Sequence, residues 1–239
     1  ISDPSAPVKL NTLSQSGVYN TMRVKDGYAY VLSSFYPDTA SPRSDAGAYV
    51  PSVQGSTLEA DRIFMPEQEM GSEYTVITAF SLADPQEQTD SRAVFGSAGL
   101  CYVSGENIYV TESCYDTDDS DVTRTAIRKV AYHDGLLEGA AQTKIDGLLN
   151  DSFSIDEYNG YLRLVTTISS ENGVMPISRE SSPAEPDTSN ALYLLDGELQ
   201  LVGEIGDLAP GETVYSARFM GDTGYFVTFR QVDPLFSAD

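Results

Sequence analysis

Thr21-Met22-Arg23-Val24, Lys25-Asp26-Gly27, Tyr28-Ala29-Tyr30-Val31 reads as a strand, a tight turn and a second strand. Asp-Gly is a dipeptide that tolerates the positive φ angles of a two-residue hairpin turn, and the flanking Tyr and β-branched residues suit a pleated surface. The same pattern returns at Leu100-Cys101-Tyr102-Val103, Ser104-Gly105-Glu106-Asn107, Ile108-Tyr109-Val110. It returns at Phe153-Ser154-Ile155, Asn159-Gly160, Tyr161-Leu162-Arg163-Leu164-Val165, and at Ala217-Arg218-Phe219-Met220, Gly221-Asp222-Thr223-Gly224, Tyr225-Phe226-Val227-Thr228.

Behind the first three copies comes a second pair of strands. Residues 74–82 and 92–95 flank Ala83-Asp84-Pro85, residues 125–132 and 136–144 flank His133-Asp134-Gly135, and residues 191–195 and 199–202 flank Asp196-Gly197. Four strands in up-and-down order, returning every ~55 to 80 residues, are expected of propeller blades. The fold class is therefore all-β, a β-propeller of four-stranded antiparallel blades, either about four blades or a part of a larger propeller. The blades are placed at 18–97, 98–147, 148–208 and, incomplete, 209–239. Residues 1–17 supply strand d (8–13) of a preceding or closing blade. Phe236-Ser237-Ala238-Asp239 matches the start of the turn Phe80-Ser81-Leu82-Ala83-Asp84-Pro85, and Ser2-Asp3-Pro4 matches its end, so the chain is expected to stop after a strand c.

Composition narrows the partners. With 36 acidic and 14 basic residues the formal charge is −22, a surface that repels phosphate backbones, so nucleic acid and anionic lipid are not expected. No apolar run approaches the ~20 residues that cross a bilayer, so no membrane insertion by this segment is expected. Cations, basic proteins and neutral glycans remain. His133 is the sole histidine and the cysteines are Cys101 and Cys114, too few for a zinc site or a convincing catalytic triad. In a regular hairpin Cys101 faces about Val110, which leaves Cys114 ~13 Å further along the strand and out of disulfide range unless the chain folds back.

Strand order sends the b-to-c connections to one end of every blade, and these are long: 36–72, 115–124 and 169–189. Long insertions on one face of a repeat array often mark its binding face. Their acids form an expected rim of Asp38, Asp45, Glu59, Asp61, Asp116, Asp118, Asp119, Asp121, Glu180 and Glu185, with Asp45, Asp61, Glu180 and Glu185 as binding-face candidates. Asp116-Thr117-Asp118-Asp119-Ser120-Asp121 is the densest cluster. Its four carboxylates are candidate Ca²⁺ ligands, since a hard cation takes oxygen donors. An EF-hand is excluded, because Gly is missing from the sixth position and Ile127 stands where the bidentate Glu belongs. A solvated charged loop is the alternative. Apart from this possible Ca²⁺, no cofactor is expected. Asp156 and Glu157 are read as capping the third hairpin, and Arg230 with Asp233 as fixing a tight turn at Pro234.

The phrases Phe153-Ser154-Ile155-Asp156-Glu157-Tyr158-Asn159-Gly160-Tyr161-Leu162-Arg163, Tyr215-Ser216-Ala217-Arg218-Phe219-Met220-Gly221-Asp222 and Val227-Thr228-Phe229-Arg230-Gln231-Val232-Asp233-Pro234-Leu235-Phe236 resemble secreted bacterial proteins with a C-terminal β-propeller domain distantly related to WD repeats. The resemblance implies a secreted or cell-surface anchored, extracytoplasmic protein with a signal or anchor upstream of Ile1. It implies no activity and carries over no catalytic residue. The function expected is a non-catalytic recognition or scaffolding module for a protein or glycan. The alternatives are a glycan hydrolase or lyase using paired carboxylates and a purely structural cell-envelope protein.

Overall fold

The computed structural model describes residues 4–66, 71–96, 99–115, 122–169, 188–228 and 235–238. Regular structure among them is almost entirely strand, the exceptions being the four-residue helix Ala46–Tyr49 and one 3₁₀ turn, Ala60–Arg62. No described helix is long and apolar enough to cross a membrane. The chain divides into two compact units, Ile1–Ala98 with Val130–Gly139, and Gly99–Lys129 with Ala140–Asp239.

In the first unit β1 (Val18–Lys25) and β2 (Tyr28–Phe35) form the hairpin expected from sequence, with Met22 opposite Val31 and Lys25 opposite Tyr28. Asp26 and Gly27 take φ of 49° and 80°, the left-handed pair that matches strand twist. An insertion follows, holding the small hairpin β3 (Ser52–Val53) and β4 (Ser56–Thr57) and then β5 (Ile63–Phe64). The sheet is completed by β6 (Tyr74–Ser81) and β7 (Gln88–Phe95), in the order β1-β2-β6-β7-β5 with β5 parallel to β7. Strands β2 and β6 are buried on both faces, so Leu32, Val76, Ile77 and Ala79 are at most 1% exposed.

Residues 130–139 belong to this unit. Gly135 donates its N–H to the Tyr30 hydroxyl and its carbonyl accepts from Thr89 Oγ1, while Leu137 N–H donates to Asp90. The rings of Tyr30 and Tyr132 meet edge to face at 4.6 Å. A Cβ on Gly135 would stand 2.5 Å from the Tyr28 ring, so this turn needs glycine for space as well as for its φ. Residues 8–13, expected as a strand, have no ladder partner among the described residues. Val8 and Leu10 are exposed there, and the Asn11 side chain donates to the Pro85 and Gln86 carbonyls.

The second sheet runs β11-β10-β9-β8, from β8 (Cys101–Val103) and β9 (Asn107–Tyr115) to β10 (Thr123–His133) and β11 (Leu136–Asp146). Within the second unit follow β12 (Leu148–Leu149), β13 (Ile155–Tyr158), β14 (Tyr161–Ser169), β15 (Thr188–Leu195) and β16 (Leu201–Leu208). Both β12 and β13 pair with β14, so the inner strand of the third sheet is interrupted at residues 150–154. Among the described residues the last sheet has three strands, β17 (Val214–Met220), β18 (Thr223–Thr228) and β19 (Leu235–Ala238), in that order.

Apolar residues on alternate positions then close two layers. Tyr109, Ile127 and Ile145 pack on Ile155, Leu162, Leu164 and Tyr193. Val165 and Leu192 pack on Val214, Ala217, Phe219 and Phe226.

Candidate functional site

The insertion between β2 and β6 is folded and fastened at several points. The Asp38 carboxylate accepts from Ala40 N–H and Ser41 Oγ, making an Asx-type turn. Tyr49 donates its hydroxyl to the Ser41 carbonyl. Ser52 N–H donates to Ser16 Oγ at 2.8 Å, and Ser16 N–H returns a bond to the Ser52 carbonyl. Gln54 and Gly55 turn the β3–β4 hairpin with φ of 51° and 80°. At the far end Arg62 pairs with the largely buried Asp90 at 2.8 Å, beside the β5–β7 ladder.

Asp45, Glu59 and Asp61 are exposed on this platform. Asp45 precedes the helix Ala46–Tyr49 and Glu59 the turn Ala60–Arg62, yet neither makes a side-chain capping bond. Their carboxylates face solvent. Asp116, Asp118, Asp119, Asp121, Glu180 and Glu185 lie outside the described residues, as do Arg230, Asp233 and Pro234. Among the described residues no group of three or more His, Cys, Asp or Glu side chains could hold a metal ion.

Asp156 and Glu157 do not work together. Neighbours on a strand point to opposite faces, and β13 sends Asp156 to its register partner Arg163 while Glu157 turns to the second sheet. Glu157 accepts from Ser104 Oγ at 2.6 Å, Asn107 Nδ2 at 3.0 Å and Tyr109 OH at 2.8 Å, and its own N–H donates to Tyr102 OH. Burial, reinforced by the Glu157 carboxylate, pushes the Tyr109 phenol well above its ordinary range and keeps it a donor. The carboxylate expected to cap a hairpin instead ties two sheets together.

A cavity of about 260 Å³ opens on the other face, lined by Tyr158, Arg163, Leu194, Ile205, Phe219 and Asp222 among others. Arg163 sits between the rings of Tyr158 and Phe219, 4.6 and 4.8 Å from their centroids. It donates to the Gly221 carbonyl and to Asp156, so the guanidinium is engaged by its own surroundings. Asp222 is the one carboxylate in the lining, whereas glycoside hydrolysis uses two facing acids.

Cys101 lies opposite Val110, the register expected from sequence, and Cys114 is buried further along β9. Burial raises the Cys114 thiol. His133 is half-exposed, 3.6 Å from Asp134 and 3.9 Å from Glu138, so its close ionisable neighbours are acidic.

Two buried polar groups escaped sequence reasoning. Arg128 and Glu112 form an ion pair at 2.7 Å with side chains 3% and 0% exposed. Asn190, fully buried, donates to the Leu208 and Glu212 carbonyls and accepts from Thr167 Oγ1. Opposite charges inside otherwise apolar strands are the signal that could have marked the first. Asn190 carries no such mark, being one Asn at a strand start.

Residues 1–239 match the Beta propeller domain family along their whole length. A protein of Archaeoglobus fulgidus described only as uncharacterized is 37% identical over 119 residues, which is 50% of this chain and 16% of that protein. A second, from Methanocaldococcus jannaschii and described the same way, is 40% identical over 96 residues, 40% of this chain and 14% of that protein. The matched stretches thus span 16% and 14% of these relatives' length. Both relatives are archaeal, whereas the resemblance in sequence pointed to bacteria.

Proposed function

The chain belongs to the β-propeller domain family, and from that premise we propose that it is a non-catalytic recognition or scaffolding module acting outside the cytoplasm, whose acidic connections meet a cation-bearing protein partner. One observation carries the reading. The longest described connection is a fastened platform, yet it leaves the Asp45, Glu59 and Asp61 carboxylates to solvent. A chain with a charge of −22 already repels itself, and unpaired acids on an ordered platform are then poised for a positively charged surface. The glycan hydrolase alternative draws no support from a cavity with a single carboxylate in its lining.

The test is binding of poly-lysine, as a surrogate basic partner, to the chain and to a variant carrying Asp45→Asn, Glu59→Gln and Asp61→Asn. The expected result is weaker binding at an unchanged melting temperature, since these exposed residues each contribute no more than about 0.5 kcal/mol to stability. Equal binding by the two proteins would refute the platform's role. The same reading assigns Glu180 and Glu185 to the binding face and Asp116, Asp118, Asp119 and Asp121 to Ca²⁺. Calorimetry with Ca²⁺ on the fourfold Asp→Asn variant should lose a binding event that the parent chain shows, and a parent chain without one would retire the Ca²⁺ assignment.

A further inference from the structure

Asn150-Asp151-Ser152 has the form Asn-x-Ser with x other than proline, the acceptor pattern for N-linked glycans. Of the asparagines in the chain, Asn150 alone has serine or threonine two places on. A three-residue pattern is common by chance, so its place in the fold decides what it is worth.

That place is a surface loop. Residues 150–154 interrupt the inner strand of the third sheet, between β12 and β13. Asn150 and Ser152 are both exposed, whereas Ser154 at the loop's end is buried. The Asp151 carboxylate between them turns into the loop, accepting from Phe153 N–H at 2.9 Å and from Ser154 Oγ at 3.4 Å. Asn150 Nδ2 donates one proton to the Tyr215 carbonyl at 2.9 Å. The amide carries a second proton, so a sugar can take that place while the first bond is kept. The loop's surroundings include open apolar surface. Phe153 is 53% exposed with the Arg218 guanidinium 3.6 Å from its ring centroid, and Tyr215 is 67% exposed. A glycan rooted at Asn150 would cover part of a surface that otherwise meets water.

We propose that Asn150 carries an N-linked glycan, an inference that rests on the reading of the chain as acting outside the cytoplasm. In the transfer step Nδ2 bonds to the anomeric carbon of an oligosaccharide carried on a polyprenyl phosphate. The bond from that carbon to the phosphate oxygen breaks, the lipid phosphate leaves with the electron pair, and the displaced amide proton neutralises it. The Ser152 hydroxyl completes the pattern that a transferase reads.

Peptide mapping by mass spectrometry of the complete protein, purified from the cells that make it, tests this. The peptide that holds Asn150 should carry the sugar. Ser152→Ala, which keeps the Asn150 bond to Tyr215, should lose the sugar in the same cells, and Ser152→Thr should keep it. Without sugar, Ser152→Ala should melt where the parent chain melts, because the residue is exposed. An Asn150 without sugar would overturn the proposal, and so would sugar that persists in Ser152→Ala. A protein isolated without sugar is then mixed with membranes of the same cells and their lipid-linked oligosaccharide, which separates the two premises. Sugar gained at Asn150 would place the failure in the extracytoplasmic reading, since the site accepts once it meets the transferase. No sugar gained would place the failure in the site and leave that reading standing.

Discussion

Arg128 and Glu112 show how little a residue's type says about its place. Both are charged, and both are all but inaccessible. Taking two charges out of water costs several kcal/mol each, which their mutual contact helps to return, so removing one partner is far worse than removing both. Urea unfolding should give a loss of about 3 to 5 kcal/mol for Arg128→Met or Glu112→Leu alone, and a clearly smaller loss for the double variant Glu112→Leu/Arg128→Met. Additive losses would show that the pair is not coupled. Tyr109 offers a second test. Its phenol is held above the ordinary value of 10.0 by burial and by Glu157, and Tyr193 is pushed up to about 12 by burial. With the folded value raised, the unfolded chain gives up its proton first. Stability is therefore intact below about pH 10 and declines as pH rises beyond it toward the folded value. Tyr109→Phe should flatten that alkaline decline in unfolding measurements, at the cost of the hydroxyl's bond to Glu157. An unchanged alkaline limb would mean that Tyr109 does not carry it.

The hairpins were the most legible elements, for a local reason. Asp26-Gly27 and Asn159-Gly160 both take the left-handed pair of φ angles, 49° with 80° and 52° with 81°, and such turns dictate register without help from the rest of the chain. Where the turn used another device, the reading of the boundary slipped. Ser104 Oγ closes the second hairpin by accepting from Glu106 and Asn107 N–H, and Asp196 does the same for Glu198 and Gln200 N–H, so that β16 begins at Leu201 and not at Leu199. The parallel pairing of β5 was invisible because two residues, Ile63–Phe64, carry no periodicity. The folded state of the insertion was equally hidden, since it rests on side-chain bonds between Ser16 and Ser52 and between Arg62 and Asp90, pairs far apart in sequence. Gly27 and Gly135 separate the two demands on a turn glycine. A Cβ at Gly27, φ 80°, meets nothing within 4 Å, whereas at Gly135, φ 74°, it strikes the Tyr28 ring at 2.5 Å. Gly27→Ala should cost about 1 to 2 kcal/mol from backbone strain alone. Gly135→Ala should cost measurably more in thermal unfolding, and equal costs would show that the turn at Gly135 shifts freely.

For the whole molecule, the all-β fold was legible from repetition, while the binding chemistry was legible only as charge. A count of −22 says which partners are repelled, not which surface is used. Asp45 and Asp61 looked no different in sequence from Asp38 and Asp90, yet the latter two are engaged, Asp38 with Ala40 and Ser41 and Asp90 with Arg62 and Leu137. Only the folded platform separates acids that build the structure from acids left to solvent. The measurement that bears most directly on recognition through these acids is poly-lysine affinity as a function of salt, for the chain and for its Asp45→Asn, Glu59→Gln, Asp61→Asn variant. Screening shortens the reach of exposed charges from about 10 Å at 0.1 M to about 3 Å at 1 M salt. Affinity should fall steeply with salt for the parent chain and less steeply for the variant, and parallel salt dependences would rule out recognition through these acids.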